Sequence, residues 1–199
     1  MGNLNMWKQG IAGMTAALVL AACTATKPQT PSEWQAQRDW KVFEASGRLS
    51  VKVKGTGSYA NFDWTRENGV ETIDVNTPIG TTVGQLCQDA EGVLAVDAKG
   101  KTYHADTAAD LSRQLLGYAL PVQYLGVWAN GEWAKDLPHQ LLADGTLQQA
   151  GWRIRRSLRE DGSPYTLLLE NNDMSVRLVF SESRREAGLP ETQGRCEAR

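Results

Sequence analysis

Histidine is nearly missing from this chain of 199 residues, with only His104 and His139 present. Cysteine stops at Cys23, Cys87 and Cys196, and no Cys/His spacing of the kind that holds a metal can be drawn from these five residues. A metal site is therefore not expected, and nothing points to a cofactor. No serine stands in a Gly-x-Ser-x-Gly setting. His104 sits on an outward-looking strand beside Asp106, and His139 follows Pro138 in a loop, so each reads as a surface residue rather than a catalytic base. A hydrolase is disfavoured, and labelling by a serine-reactive probe would revive it. There is no basic excess either: the formal net charge is −2, which argues against a nucleic-acid partner. Nor does any apolar run reach the roughly 20 residues that a bilayer-spanning helix needs.

One apolar run does exist, and it is short. Lys8 is the only charged side chain before the stretch Ile11 to Ala22, in which only Gly13 and Thr15 are not hydrophobic. That is the length of a signal-peptide core. It ends in Leu20-Ala21-Ala22-Cys23, which resembles the bacterial lipobox: small residues suit the peptidase pocket, and the Cys supplies the thiol for thioether lipidation. An ordinary signal peptide with an incidental Cys is the plainer alternative. The resemblance implies several acyl chains on Cys23, and multiple chains anchor far more firmly than one. Thr24, in place of the Asp that often marks inner-membrane retention in such lipoproteins, favours the outer membrane of a Gram-negative cell, with the domain facing the periplasm. The chain thus divides into a signal peptide at 1–22, a lipidated N-terminus and tether at 23–38, a folded domain at 39–182, and a charged tail at 183–199 expected to be disordered. Cys87 and Cys196 could pair in an oxidising compartment; because Cys196 lies in the polar tail, two free thiols are expected.

Within the domain the clearest signal is period two. Phe43, Ala45, Gly47, Leu49, Val51 and Val53 alternate with Glu44, Ser46, Arg48, Ser50, Lys52 and Lys54, as in a long strand with one buried and one wet face. Gly55-Thr56-Gly57 is read as its turn. The next strand points Ala60, Phe62 and Trp64 inward, and Asn68-Gly69 is a tight-turn pair. Strands follow through Ile73 and Val75, from Thr82 to Gln88, from Val93 to Val96, and through Thr102-Tyr103-His104. The period then changes. Thr107 and Asp110 form a capping pattern for a helix from about Thr107 to Leu116, and Pro121 fits the first position of a second helix that Gly131 ends. Strands resume at Gly151–Leu158, Tyr165–Glu170 and Ser175–Ser181. This order is mainly β and predicts a curved antiparallel sheet or barrel with helices over an end or mouth. Seven Trp among 199 residues suit either a filled interior or a hollow for an apolar ligand, and the pattern leaves both open.

Around the helical insert the chain resembles the LolB family of outer-membrane lipoprotein receptors. The matching residues are Lys99-Gly-Lys-Thr-Tyr-His-Ala-Asp106, Asp110-Leu111, Gly117-Tyr-Ala-Leu-Pro121, Leu125, Trp128 and Gly131. Gly47, Thr77-Pro-Ile-Gly80 and Gly151-Trp152-Arg-Ile154 agree in the expected order, and the likeness covers roughly residues 34 to 180. It departs at the end, where Phe180-Ser181 and a tail stand in place of an expected closing Trp. The resemblance implies an unclosed antiparallel β-barrel with a short helical lid over an apolar cavity. That cavity would take the acyl chains of cargo lipoproteins from the periplasmic carrier LolA and release them into the outer membrane. Neither metal nor nucleotide is implied, and a monomer is expected. A lipid-binding or scaffolding outer-membrane lipoprotein without a transfer role is the alternative.

Candidates for the cavity wall and lid are Phe62, Trp64, Ile73, Val75, Leu86, Leu111, Leu115, Trp128, Val176, Leu178 and Phe180. Residue by residue, each could equally be plain core. Ile79 is bracketed by Pro78 and Gly80 in a tight connection, so its side chain is expected to stay out of the core. The family carries an exposed Leu in the matching loop, which implies a membrane-insertion role for Ile79; a half-buried turn residue is the alternative. Arg153, Arg155 and Arg159 share one strand face, most simply a solvated one. Arg156 falls on the apolar side, as a headgroup contact or a frayed end.

Overall fold

The computed structural model describes residues 33–189 and 192–197; the expected signal peptide, Cys23 and most of the expected tether lie outside them. The elements in chain order are β1 (Gln35–Ala36), β2 (Trp40–Val53), β3 (Thr56–Glu67), β4 (Val70–Asn76), β5 (Thr82–Gln88), β6 (Val93–Asp97) and β7 (Thr102–Ala105). The helices α1 (Ala108–Leu116) and α2 (Val122–Ala129) follow. Then come β8 (Glu132–Trp133), β9 (His139–Leu141), β10 (Leu147–Gln149), β11 (Trp152–Leu158), β12 (Pro164–Glu170) and β13 (Met174–Ala187). Eleven strands form one antiparallel sheet in the order β7-β6-β5-β4-β3-β2-β13-β12-β11-β10-β9, while β1 and β8 make a separate parallel pair. Since β7 and β9 each lack a second neighbour among the described residues, the barrel is not closed.

The alternation along β2 is realised residue by residue. Ala45 pairs with Trp64 and Gly47 with Phe62 on one side; Leu49 pairs with Leu178 and Val51 with Val176 on the other. Two-residue turns set these registers. Asn68 and Gly69 have φ of 52° and 74°, the left-handed pair that matches strand twist. The β2–β3 turn lies earlier than expected: Lys54 and Gly55 form it, with φ of 47° and 90°, and Gly57 pairs with Lys52 as ordinary strand. Gly47 has a different task. A Cβ there would overlap the Val179 carbonyl oxygen, so only a bare backbone lets β13 close on β2 at this level. The rings of Phe62 and Phe180 meet edge to face across it, 5.7 Å apart.

The helices obey their local signals. Thr107 accepts the Asp110 N–H (3.1 Å) and donates its hydroxyl to the Asp110 carboxylate (2.6 Å), so two polar groups at the helix start satisfy each other. Gly117, at φ 83°, ends α1 by donating to the Arg113 carbonyl. Pro121 proves to be the residue just before α2 rather than its first residue.

The C-terminus departs most from expectation. β13 does not stop at Ser181 but continues to Ala187, paired with β2 back to Trp40, with a register shift around Ser181. Its charged composition reads as disorder only when no partner is supplied. Here residues 40–46 offer an unpaired edge, and Arg184–Glu44 (3.4 Å) and Lys41–Glu186 (3.8 Å) join the strands. Arg159 secures the irregularity by donating to the carbonyls of Phe180 and Ser181. Further on, Cys196 is disulfide-bonded to Cys87, with Cα atoms 5.8 Å apart. The expectation of free thiols is thereby overturned. The residues before it lie against the sheet, with the Gly194 N–H on the Asn68 carbonyl (2.8 Å) and the Cys196 N–H on the Asp89 carboxylate (2.8 Å). The polar side chains of the tail face water from a docked segment, and do not mark it as detached.

Candidate functional site

The inner face of the sheet is almost wholly apolar, and the helices lie on it. Phe62, Trp64, Leu111, Trp128, Val176, Leu178 and Phe180 are all buried within one cluster, against which Ile73 and Leu86 are packed. Val75 is half-buried opposite Phe62. Leu115 does not join them. It is 40% exposed, because α1 buries Ala108, Leu111 and Ser112 and its last turn runs on past the core.

Two anchor points hold the helices down. Trp64 approaches α2 at Gly126, where an added Cβ would press on the indole at 3.2 Å. Its Nε1–H donates to Glu71 (3.0 Å), whose carboxylate lies 4.0 Å from the Arg66 guanidinium. Burial pushes the Glu71 pKa up, against the opposing effects of Arg66 and the indole. On the far side, Trp128 donates to the side-chain oxygen of Gln149 (2.9 Å), which also accepts the Ala134 N–H (2.8 Å); the Gln149 amide donates to the Ala134 carbonyl (2.9 Å). Gln149 is buried yet fully used, and it ties the lid to β10. A polar side chain in a three-residue strand carried no period by which sequence could single it out.

Helix α1 packs on β6 and β7 and α2 on β8 and β12. Of the strands between them, β4 and β5 contribute Ile73, Val75 and Leu86, and these inward residues remain half-buried. A cleft lined by Arg38, Trp40, Trp64, Glu71, Gly126 and Asn130 has a volume of about 10 Å³, barely that of one water. Larger open depressions of about 700 and 460 Å³ lie around His139–Gln149 and Asp89–His104, and no candidate wall residue lines them. Beneath the helices, Phe62, Trp64, Leu111, Trp128 and Phe180 pack into one buried cluster.

One end of the barrel is polar and was not legible beforehand. Glu132 is fully buried, accepting from Arg38 Nε (3.0 Å), the Arg38 N–H (3.0 Å) and Trp40 Nε1 (3.2 Å). Arg156 reaches inward over the Trp34 ring (5.3 Å) and donates to the Glu33 carbonyl (3.1 Å). Its guanidinium fills the space where a Cβ on Gly131 would stand. Burial lowers its pKa to about 10, with Arg185 pressing the same way and Glu132 opposing. Arg156 therefore clasps the N-terminal segment to the end of α2; its strand is not frayed. Arg155 pairs with Glu170 (2.6 Å), while Arg159 serves β13. His104 is exposed on edge strand β7, and His139 stacks on Trp133 at 4.4 Å.

At the opposite end, the Thr77–Thr81 connection is closed by its own hydrogen bonds. Gly80 donates to the Thr77 carbonyl (2.9 Å), Thr77 to the Thr81 carbonyl (2.8 Å), and the Thr81 N–H to Thr77 Oγ1 (3.0 Å). Gly80 takes φ 87°, which only a residue without a Cβ adopts freely. This rigid loop holds Ile79 90% exposed.

Known proteins share this pattern of residues. The family described as outer membrane lipoprotein LolB covers residues 41–182. The chain belongs to the LolB family. An outer-membrane lipoprotein LolB of Neisseria meningitidis is 48% identical over 185 residues, spanning 92% of this chain and 94% of that one. Its counterpart in Chromobacterium violaceum is 36% identical over 169 residues, with 83% and 93% covered. Among solved structures, a LolA superfamily protein of Nitrosomonas europaea is similar at a TM-score of 0.43 and 11% identity, over 81% of this chain and 92% of that one. The match to the LolB family ends at Glu182, before the last residues of β13 and the disulfide-bonded tail.

Proposed function

We propose that this LolB-family chain is a lipid-anchored receptor of the outer membrane. It accepts lipoproteins from the periplasmic carrier LolA, holds their acyl chains beneath α1 and α2, and passes them into the bilayer. The observation that carries this is an apolar sheet interior roofed by helices, with α2 held by the Trp128–Gln149 hydrogen bond and by packing of Gly126 on the Trp64 ring. Acyl chains enter as the roof lifts over the half-buried row Ile73, Val75 and Leu86. Each CH₂ buried is worth about 0.8 kcal/mol, so such chains cannot cross water bare. An aliphatic interior without directional bonds grips them yet can let them go. No bond is made or broken, and the chain acts as a receptor rather than as an enzyme. Acylation of Cys23 keeps the domain at the membrane that its relatives are named for, and Ile79, held out on its rigid loop, enters the lipid when cargo is released.

The test is transfer. LolA loaded with a labelled lipoprotein is mixed with this chain carrying Cys23→Ala, and movement of the label is followed. Transfer at micromolar protein is expected; its absence would overturn the reading.

A further inference from the structure

The end of the sheet that presents Ile79 also gathers lysines, which the transfer reading does not use. Strand register places them. Asn61 of β3 pairs with Asn76 of β4, yet β3 extends outward to Thr56, so the β2–β3 hairpin projects beyond β4 and stands beside the Thr77–Thr81 loop. Continued outward, the same register brings Tyr59 level with Pro78, next to Ile79. Tyr59 is 77% exposed, on the outer face that it shares with Asn61 and Asp63. Across the hairpin Lys52 pairs with Gly57, and Lys54 occupies the turn. On the other flank Gly84 pairs with Asp97; two residues further, the register brings Lys99 level with Thr82, where the Ile79 loop ends. Lys52, Lys54 and Lys99 are all exposed.

The acids at this end are fewer than the lysines and offset them only in part. Asp97 is held ionised by the N–H groups of Lys101 and Lys99 (3.0 and 2.8 Å) and by the Tyr103 hydroxyl (3.1 Å). Asp173, whose carbonyl accepts the Lys54 N–H, is the other acid at the hairpin end. A branched aliphatic at the tip, an exposed aromatic beside it and lysines on both flanks follow the depth order of a membrane interface. Apolar groups go deepest, Tyr sits at the headgroups, and Lys reaches for phosphate with its stem laid on apolar surface. An acidic protein surface would satisfy the lysines but would leave the projecting Ile79 without a counterpart.

We infer that this end of the domain is a docking face for an anionic phospholipid surface, with Ile79 in the apolar layer, Tyr59 at headgroup level, and Lys52, Lys54 and Lys99 on the lipid phosphates and acidic headgroups. The inference rests on the membrane reading of Ile79 and adds the lipid class that it favours.

The full-length lipidated protein carrying Ile79→Cys is labelled there with an environment-sensitive fluorophore, since Cys87 and Cys196 are engaged with each other. It is placed in vesicles of phosphatidylcholine, alone or with phosphatidylglycerol, and quenching by a lipid-borne quencher gives the ratio of inserted to exposed probe. Each Lys near an anionic surface multiplies binding about fivefold, so replacing all three by Gln is expected to lower the ratio roughly a hundredfold in the anionic vesicles only. Raising salt to about 1 M should do the same. Circular dichroism and the melting temperature check that the triple variant is folded. Equal insertion in both vesicle types, or an unchanged triple variant, overturns the lysine inference and leaves Ile79 standing. Slowed transfer from LolA in the triple variant without any lipid dependence overturns it too, because the lysines then serve a protein partner. An unquenched probe in every vesicle overturns both the inference and the membrane reading of Ile79. Failure of transfer with insertion intact removes the receptor reading alone.

Discussion

The two walls of the sheet obey the same alternation but end up differently packed. On the β10–β12 wall, Leu147, Ile154, Leu167 and Leu169 are fully buried, and register stacks Leu147 on Ile154, Ile154 on Leu169 and Leu169 on Val176. On the β4–β5 wall, Ile73, Val75 and Leu86 are half-buried, although their register from Trp64 is just as regular. The difference comes from what lies above them. Helix α2 presses on β12 and on Trp64 of β3, α1 on β6 and β7, and β4 and β5 receive less cover. One wall is fully covered; the other keeps part of its apolar surface open. The more open wall is also the one braced from outside, where Cys196 is bonded to Cys87 on the outer face of β5.

Removing that brace should have the largest effect. The disulfide links residues 109 apart, so Cys87→Ser with Cys196→Ser should cost about 4 kcal/mol in urea unfolding. Next in size, Leu169→Ala should cost about 3 kcal/mol, and Leu86→Ala about 1–2 with a marked loss of cargo acceptance. Equal costs for the two would abolish the distinction between the walls. Gln149→Leu orphans Trp128 Nε1 and the Ala134 peptide groups and should cost about 2 kcal/mol, with faster amide exchange in α2 than in β12. Slow exchange throughout would mean that the roof is not held there.

Glu71 gives a smaller, pH-dependent effect. Its raised pKa means that the folded protein keeps a proton which the unfolded chain releases. Stability contributed by the neutral carboxyl is complete below the ordinary carboxylate range and is lost as pH climbs through the raised value. Glu71→Gln should therefore flatten that decline and melt higher at neutral pH; a lower melting temperature would show that the Arg66 pairing outweighs burial. Smallest for stability is Ile79→Glu, expected to stay within about 0.5 kcal/mol of the parent while blocking delivery to the bilayer. Loss of cargo binding in that variant would assign Ile79 a structural role.

Local signals were legible, and those that depend on distant partners were not. The β2 alternation, the Asn68-Gly69 turn and the Thr107 cap each act within a few residues, and each is found where it was expected. β8, β9 and β10 are two or three residues long, too short to show a period of two. Their buried polar residues Glu132 and Gln149 make sense only beside Arg38 and Trp128. β13 past Ser181 looks like solvated tail until the free edge of β2 is set next to it, and Cys196 looks unpaired until the tail folds back. Of the candidate wall, the deeply buried members announced themselves as apolar residues in phase. Leu115 was in phase too, and was misplaced because periodicity does not say where a helix outruns the core it covers.

The pairing of β2 with β13 along their whole lengths also has a consequence in time. The first long strand of the domain completes its hydrogen bonds with the last, so the growing chain carries one edge of β2 exposed until β13 arrives. Pairings between segments so far apart in sequence form slowly, and open edges invite other strands. Arg48 and Lys52 along β2, with Glu44, keep that waiting strand charged, and Cys87 waits 109 residues for the cysteine that seals it.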